Sequence, residues 1–189
     1  MASWRNLFGP SKEEVWSQLC SEINARYVDG GFWKGDMVQA THGPWTITLD
    51  TYVVSTGKSA VTYTRMRAPF VSPDGFEFTV YDKGIFSDIG KWFGMQDIEI
   101  GDGVFDEAFI VKSNNESKVR ELLANFKIRQ LIGQQPEIHF SAKDDELLFR
   151  VVGVIKDVER LKLLYELFSE TLDELCRIGS ARQTAPDGV

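Results

Sequence analysis

Tyr63, Arg65 and Arg67 sit at alternate positions in the run YTRMR. In an extended strand they share one face, with the two guanidiniums about 7 Å apart beside an aromatic ring. Guanidinium forks match the oxygens of a phosphate or a carboxylate. The triplet therefore reads as a small-anion site, and a hydrolytic version of it would draw a base from His42, Asp82 or Asp88. The competing reading is a charged solvent face whose arginines pair with acids on neighbouring strands.

Other residue patterns carry less chemistry. Asp97, Glu99, Asp102, Asp106 and Glu107 crowd one stretch, and a hard cation would accept such oxygens. A calcium loop needs glycine at its sixth place, however. Counting from Asp97 puts Asp102 there, and counting from Asp102 puts Glu107 there. The cluster reads as a solvated acidic edge that deters sheet-to-sheet pairing. Thr56-Gly57-Lys58-Ser59 resembles the end of a phosphate-binding loop, but Tyr52 stands where the first glycine belongs and a strand follows instead of a helix. His42 and His139 show no metal-ligand spacing, and no GxSxG elbow supports a nucleophilic serine. Cys20 and Cys176 fall on apolar helical stripes and read as small core residues, not as a disulfide. No catalytic residue, metal ligand or cofactor motif emerges.

Glycine-flanked aromatics form a further set. Phe32 and Trp33 follow Gly31, and Trp92 and Phe93 precede Gly94. They read either as a partner surface or as plugs at the ends of the core. Trp4, Leu7 and Phe8 beside Arg5 suggest only a weak peripheral membrane contact.

The elements that must position these groups are well marked. Ser11 and Glu14 form a capping box before a helix carrying Val15, Trp16, Leu19, Cys20, Ile23 and Tyr27, and Gly30-Gly31 is its expected end. Trp45, Ile47, Leu49 and Val53 alternate with Thr46, Thr48 and Asp50, which predicts a half-buried strand. Residues 59–68 should return antiparallel after the turn at 55–58. Phe76, Phe78 and Val80 predict a third strand of a meander. Ile98 with Ile100, and Phe109 to Val111, read as short strands. Asn114 or Asn115 caps a helix bearing Val119, Leu122, Leu123 and Phe126, and Ile128, Leu131 and Ile132 extend it or begin another. A hairpin over 137–154 turns at Lys143-Asp144-Asp145. Asp157 then caps the longest helix, which runs to about Ile178, with an apolar stripe suited either to covering a sheet or to a partner subunit.

The chain has 189 residues and a net charge of -7. The length fits a single domain over 1–179, or two lobes at about 1–94 and 95–179, with 180–189 as a flexible tail. The charge disfavours a nucleic-acid binder, which needs a basic face. No apolar run is long enough to span a bilayer, and the start of the sequence lacks the apolar core of a signal peptide. A cytoplasmic location is expected.

Three blocks, YTRMRAPF, GMQDIEIGD and FDEAFIVKSN, resemble those of an uncharacterised bacterial family, a domain of unknown function with some membrane-bearing members. The resemblance covers roughly residues 45 to 178. It implies a bacterial source and supplies no catalytic residues.

The expected fold is α+β: an antiparallel sheet in two strand clusters, covered by N-terminal, central and C-terminal helices. The expected function is a non-enzymatic interaction or ligand-binding module with a protein or small-molecule partner. The alternatives are the small-anion protein or hydrolase built on Tyr63, Arg65 and Arg67, and a homodimer joined through the last helix or the sheet edge.

Overall fold

The computed structural model describes residues 9–31, 35–55, 57–84 and 97–182. Helix α1 (Lys12–Ile23) starts at the expected capping box: Glu14 N–H donates to the Ser11 hydroxyl, and Ser11 N–H donates to the Glu14 carboxylate. It stops earlier than Gly30, because Asn24 takes the left-handed conformation at φ 53° and closes the last turn. Asparagine tolerates that conformation better than most residues. Tyr27, expected on the helical stripe, lies instead in strand β1 (Arg26–Val28), which pairs with β2 (Met37–His42).

Strands β3 (Trp45–Ser55) and β4 (Ala60–Pro69) form the expected hairpin. Strand β5 (Phe78–Asp82) does not continue a meander beside β4. It is flanked by β6 (Phe109–Ser113) and β7 (His139–Lys143). Strand β8 (Glu146–Val152) pairs with β7 on one side and β4 on the other. The result is one antiparallel eight-stranded sheet in the order β1-β2-β3-β4-β8-β7-β5-β6. The late hairpin β7–β8 is thus inserted between two strands from the first half of the chain.

Register explains the core. Val38, Leu49, Met66, Phe149, Phe140, Val80 and Val111 are successive cross-strand partners, and they form one apolar row across seven strands. Helices α1, α3 (Glu116–Leu123), α4 (Phe126–Gly133) and α5 (Val158–Arg177) bury their apolar stripes in this same cluster. Phe168 of α5 meets Phe140 edge-on at 5.6 Å, and the Tyr165 hydroxyl donates to the Ile47 carbonyl at 2.9 Å. Each fully buried large apolar side chain contributes about 1.5–3 kcal/mol. The α5 stripe, read from sequence as fit for either a sheet or a partner subunit, is therefore consumed within the chain.

The acidic glycine turn holds a short helix that the periodicity did not reveal, α2 (Gly103–Ala108), capped by Asp102. The segment before it contributes a single bridge, Asp97 to Lys112. Asn115 caps α3 and Asn125 caps α4, so the central helical stretch is two helices. The break leaves Phe126 68% exposed instead of on the core stripe. Residues 180–182 are not a frayed tail: Ser180 and Ala181 are buried, and Arg182 pairs with Val71. Cys20 is half-buried and Cys176 is exposed, so Cys176 is not a core residue; both thiols are free. Among the described residues no helix is long and apolar enough to cross a membrane.

Candidate binding face of the sheet

The helices occupy one face of the sheet. The other face carries the odd-numbered residues of β4 and the even-numbered residues of β3 and β8. Three cross-strand rows follow from the register: Tyr52–Tyr63–Val152, Asp50–Arg65–Arg150 and Thr48–Arg67–Leu148. Further toward β5 the residues of this face, Ser141, Thr79 and Tyr81, are buried. On β3, β4 and β8 Thr48 and Asp50 are buried as well, but Tyr52, Tyr63, Arg65, Arg67, Leu148 and Arg150 are half-buried and Val54 and Val152 are exposed.

The structure brings Tyr63, Arg65 and Arg67 together on that face, and it gives each a different occupation. Arg65 is bidentate on Asp50, with Nε to Oδ1 at 2.8 Å and Nη2 to Oδ2 at 2.7 Å. Those hydrogen bonds raise the arginine pKa further above its ordinary value, against the opposing effect of burial. The Arg65 guanidinium also lies 5.0 Å from the centre of the Tyr52 ring, within reach of a cation–π attraction. Tyr52 and Tyr63 stack at 5.2 Å and 15°. Arg67 is held more loosely, 3.6 Å from Asp50 and 4.0 Å from Glu146. Its Nε is buried without an acceptor.

Arg150 completes the group, and the sequence reading missed it. It stands directly opposite Arg65, half-buried. Among the described residues no hydrogen bond or ion pair engages it. Alternation of Glu146, Leu148, Arg150 and Val152 could have placed it on a polar face. Only the β4–β8 register places it beside Arg65. Among the described residues three guanidiniums here share two carboxylates, Asp50 and Glu146, so positive charge is in excess. Apolar surface adjoins it: Val152 is 60% and Val54 40% exposed, with Val61 half-buried opposite Val54.

The bases weighed for a hydrolytic site are not on this face. His42 has the parity of Val38 and Ala40 on the helix side, and its Nε2 lies 2.9 Å from Asp173 of α5. Asp82 ends β5 with the parity of Phe78 and Val80 and accepts from Gly84 N–H at 2.7 Å. Strands β8 and β7 separate β5 from β4, a lateral distance of about 14 Å. Asp88, and the partner-surface aromatics Phe32, Trp33, Trp92 and Phe93, lie outside the described residues.

Three acids of the stretch are taken up by structural partners. Asp97 pairs with Lys112 at 3.1 Å, Asp102 with Arg129 at 3.1 Å, and Asp106 accepts from the backbone of Ile100 and Gly101. No group of three metal-ligating side chains forms among the described residues. Two open depressions lie elsewhere. One of about 400 Å³ is lined by Asn24, Arg26, Gln39 and Thr46, and one of about 230 Å³ by Ser72, Glu77 and Asp145.

No family model matches the chain, and no curated protein matches it. The fold is similar to that in the crystal structure of the mycobacterial trehalose monomycolate transport factor A, TtfA. The TM-score is 0.51, over 94% of this chain and 98% of that one. At 12% identity the likeness is one of fold alone.

Proposed function

We propose that the protein is a non-enzymatic interaction module of the cytoplasm that holds a partner against the face of its sheet carrying Tyr63, Arg65, Arg67 and Arg150. The observation that carries this reading is Arg150: a half-buried cation opposite another arginine, beside stacked tyrosines and exposed valines. Tyrosine and arginine are enriched at binding hot spots. The separation of His42 and Asp82 from the arginines supports binding over turnover. The related fold of TtfA, described as a transport factor, supports a role in accompanying another molecule.

A photo-crosslinking residue at Val152 tests the reading, with one at Val104, 82% exposed on α2, as control. In cell extract the Val152 position should give a discrete adduct that the control does not, and Tyr63→Ala should abolish it. Equal labelling from both positions would overturn the proposal. So would turnover of a phosphate-ester or acyl-ester panel that a single point substitution removes.

A further inference from the structure

Resting on that docking face, we infer that what it recognises is a carboxylate carried beside an apolar side chain, on a segment of a partner protein. Two sets of unused donors define the position. Arg150 has no acceptor among the described residues, and the terminal nitrogens of Arg67, whose side chain is 38% exposed, meet two carboxylates only at 3.6 and 4.0 Å. Since Arg67 pairs with Leu148 and Arg65 with Arg150, Arg67 and Arg150 are diagonal neighbours. Such diagonal positions lie about 7–8 Å apart at the Cα atoms. Two long guanidinium side chains at that spacing are close enough to reach one pair of oxygens. Arg65 does not compete, because Asp50 already fills its fork.

The surroundings select among anions. A free phosphate would leave Tyr63, Val152 and Val54 bare, whereas a peptide segment covers them while its acid reaches Arg150. Nucleic acid and anionic membranes are polyanions. A chain of net charge -7 repels them, while a single local contact falls within the screening length of about 8 Å. Tyr63 opposite Val152 supplies the apolar side of the contact and Arg150 the charged side.

Two labelled peptides read this out with the full-length protein: a glutamate-rich pentapeptide with leucine at both ends, and its glutamine counterpart. Amide chemical shifts report location and fluorescence polarisation reports affinity. The glutamate peptide should shift signals at 63–67 and 148–152. Its affinity should fall about tenfold or more in Arg150→Gln, and by a similar factor for the glutamine peptide. Millimolar inorganic phosphate should leave it in place. Equal affinity of the two peptides, with shifts on the same residues, would overturn the carboxylate assignment while leaving the docking face intact. Full displacement by phosphate would make this a small-anion site instead. The same signals moving on dilution without peptide would make the occupant a second copy of the chain. Absence of shifts with either peptide would also overturn the assignment, and the Val152 crosslink separately decides whether the face docks anything.

Discussion

Asp50 and Arg65 are direct cross-strand partners on β3 and β4, joined by two hydrogen bonds of 2.8 and 2.7 Å. One carboxylate thereby fills the fork of Arg65 and also draws Arg67, 3.6 Å away. Its side chain is 11% exposed, so the pair is shielded more than an ordinary surface ion pair.

Asp50→Asn should destabilise the protein by about 2 kcal/mol, below the cost of breaking a fully buried pair because Arg65 remains partly solvated. The cause is three guanidiniums left with only Glu146. Urea denaturation measures the loss, and added sulfate, which stabilises folded proteins in general, should raise the variant's stability more than the parent's. An unchanged midpoint would show that the pair is energetically idle.

Arg150→Gln should act in the opposite direction on stability. It removes a like charge opposite Arg65, which is worth about 0.5 kcal/mol. The substitution should raise the denaturation midpoint while weakening peptide binding. A lowered midpoint would mean that Arg150 is a structural residue.

Asp74 sets an acid limit. Burial pushes its carboxyl up, but the combined hydrogen bonds from Lys118, the Phe76 N–H and the Ser180 hydroxyl outweigh that and hold the pKa at about 2, below the ordinary 3.8. A depressed carboxylate stabilises the fold above its unfolded pKa and loses that contribution as pH falls through the folded value. The stabilisation is therefore complete above about pH 3.8 and disappears toward pH 2. Because the group is partly solvated, its share is about 1 kcal/mol. Asp74→Asn should flatten the stability profile in that window, as thermal melts at stepped pH will show.

Asp144 and Asp145 both adopt left-handed backbone, at φ 51° and 60°, in the turn between β7 and β8. Only Asp145 is tethered there, accepting from Ser72 N–H at 2.7 Å through its side chain and from Phe70 N–H at 2.9 Å through its carbonyl. Glycine suits such positions. Asp144→Gly should stabilise by about 0.5 kcal/mol, while Asp145→Gly should cost about 1 kcal/mol through the lost Ser72 bond. Equal effects in calorimetry would show that the tether contributes nothing.

Local signals located most elements. The capping box placed α1, Asp157 placed α5, and alternation placed β3, β4 and the β7–β8 hairpin, because each of these depends on residues a few positions apart. Strands β1 and β2 were hidden, since Ile23 and Tyr27 keep helical spacing across the Asn24 stop. The site was half legible. Parity put Tyr63, Arg65 and Arg67 on one face and Asp50 on a matching one, and the Ser55↔Ala60 closing pair aligns them. Arg150 required knowing that β8 lies against β4, which no short-range pattern encodes.

The inserted hairpin also dictates when this molecule becomes whole. While a ribosome is still making residues 139–152, strands β4 and β5 each lack the neighbour that finally separates them. A nascent chain that has formed only the β3–β4 and β5–β6 pairs presents two bare strand edges, and unpaired edges invite contact with other chains. Closure of the sheet is therefore a late, long-range event that fits slow folding, and crowding of half-made copies is the stage at which this fold is most vulnerable.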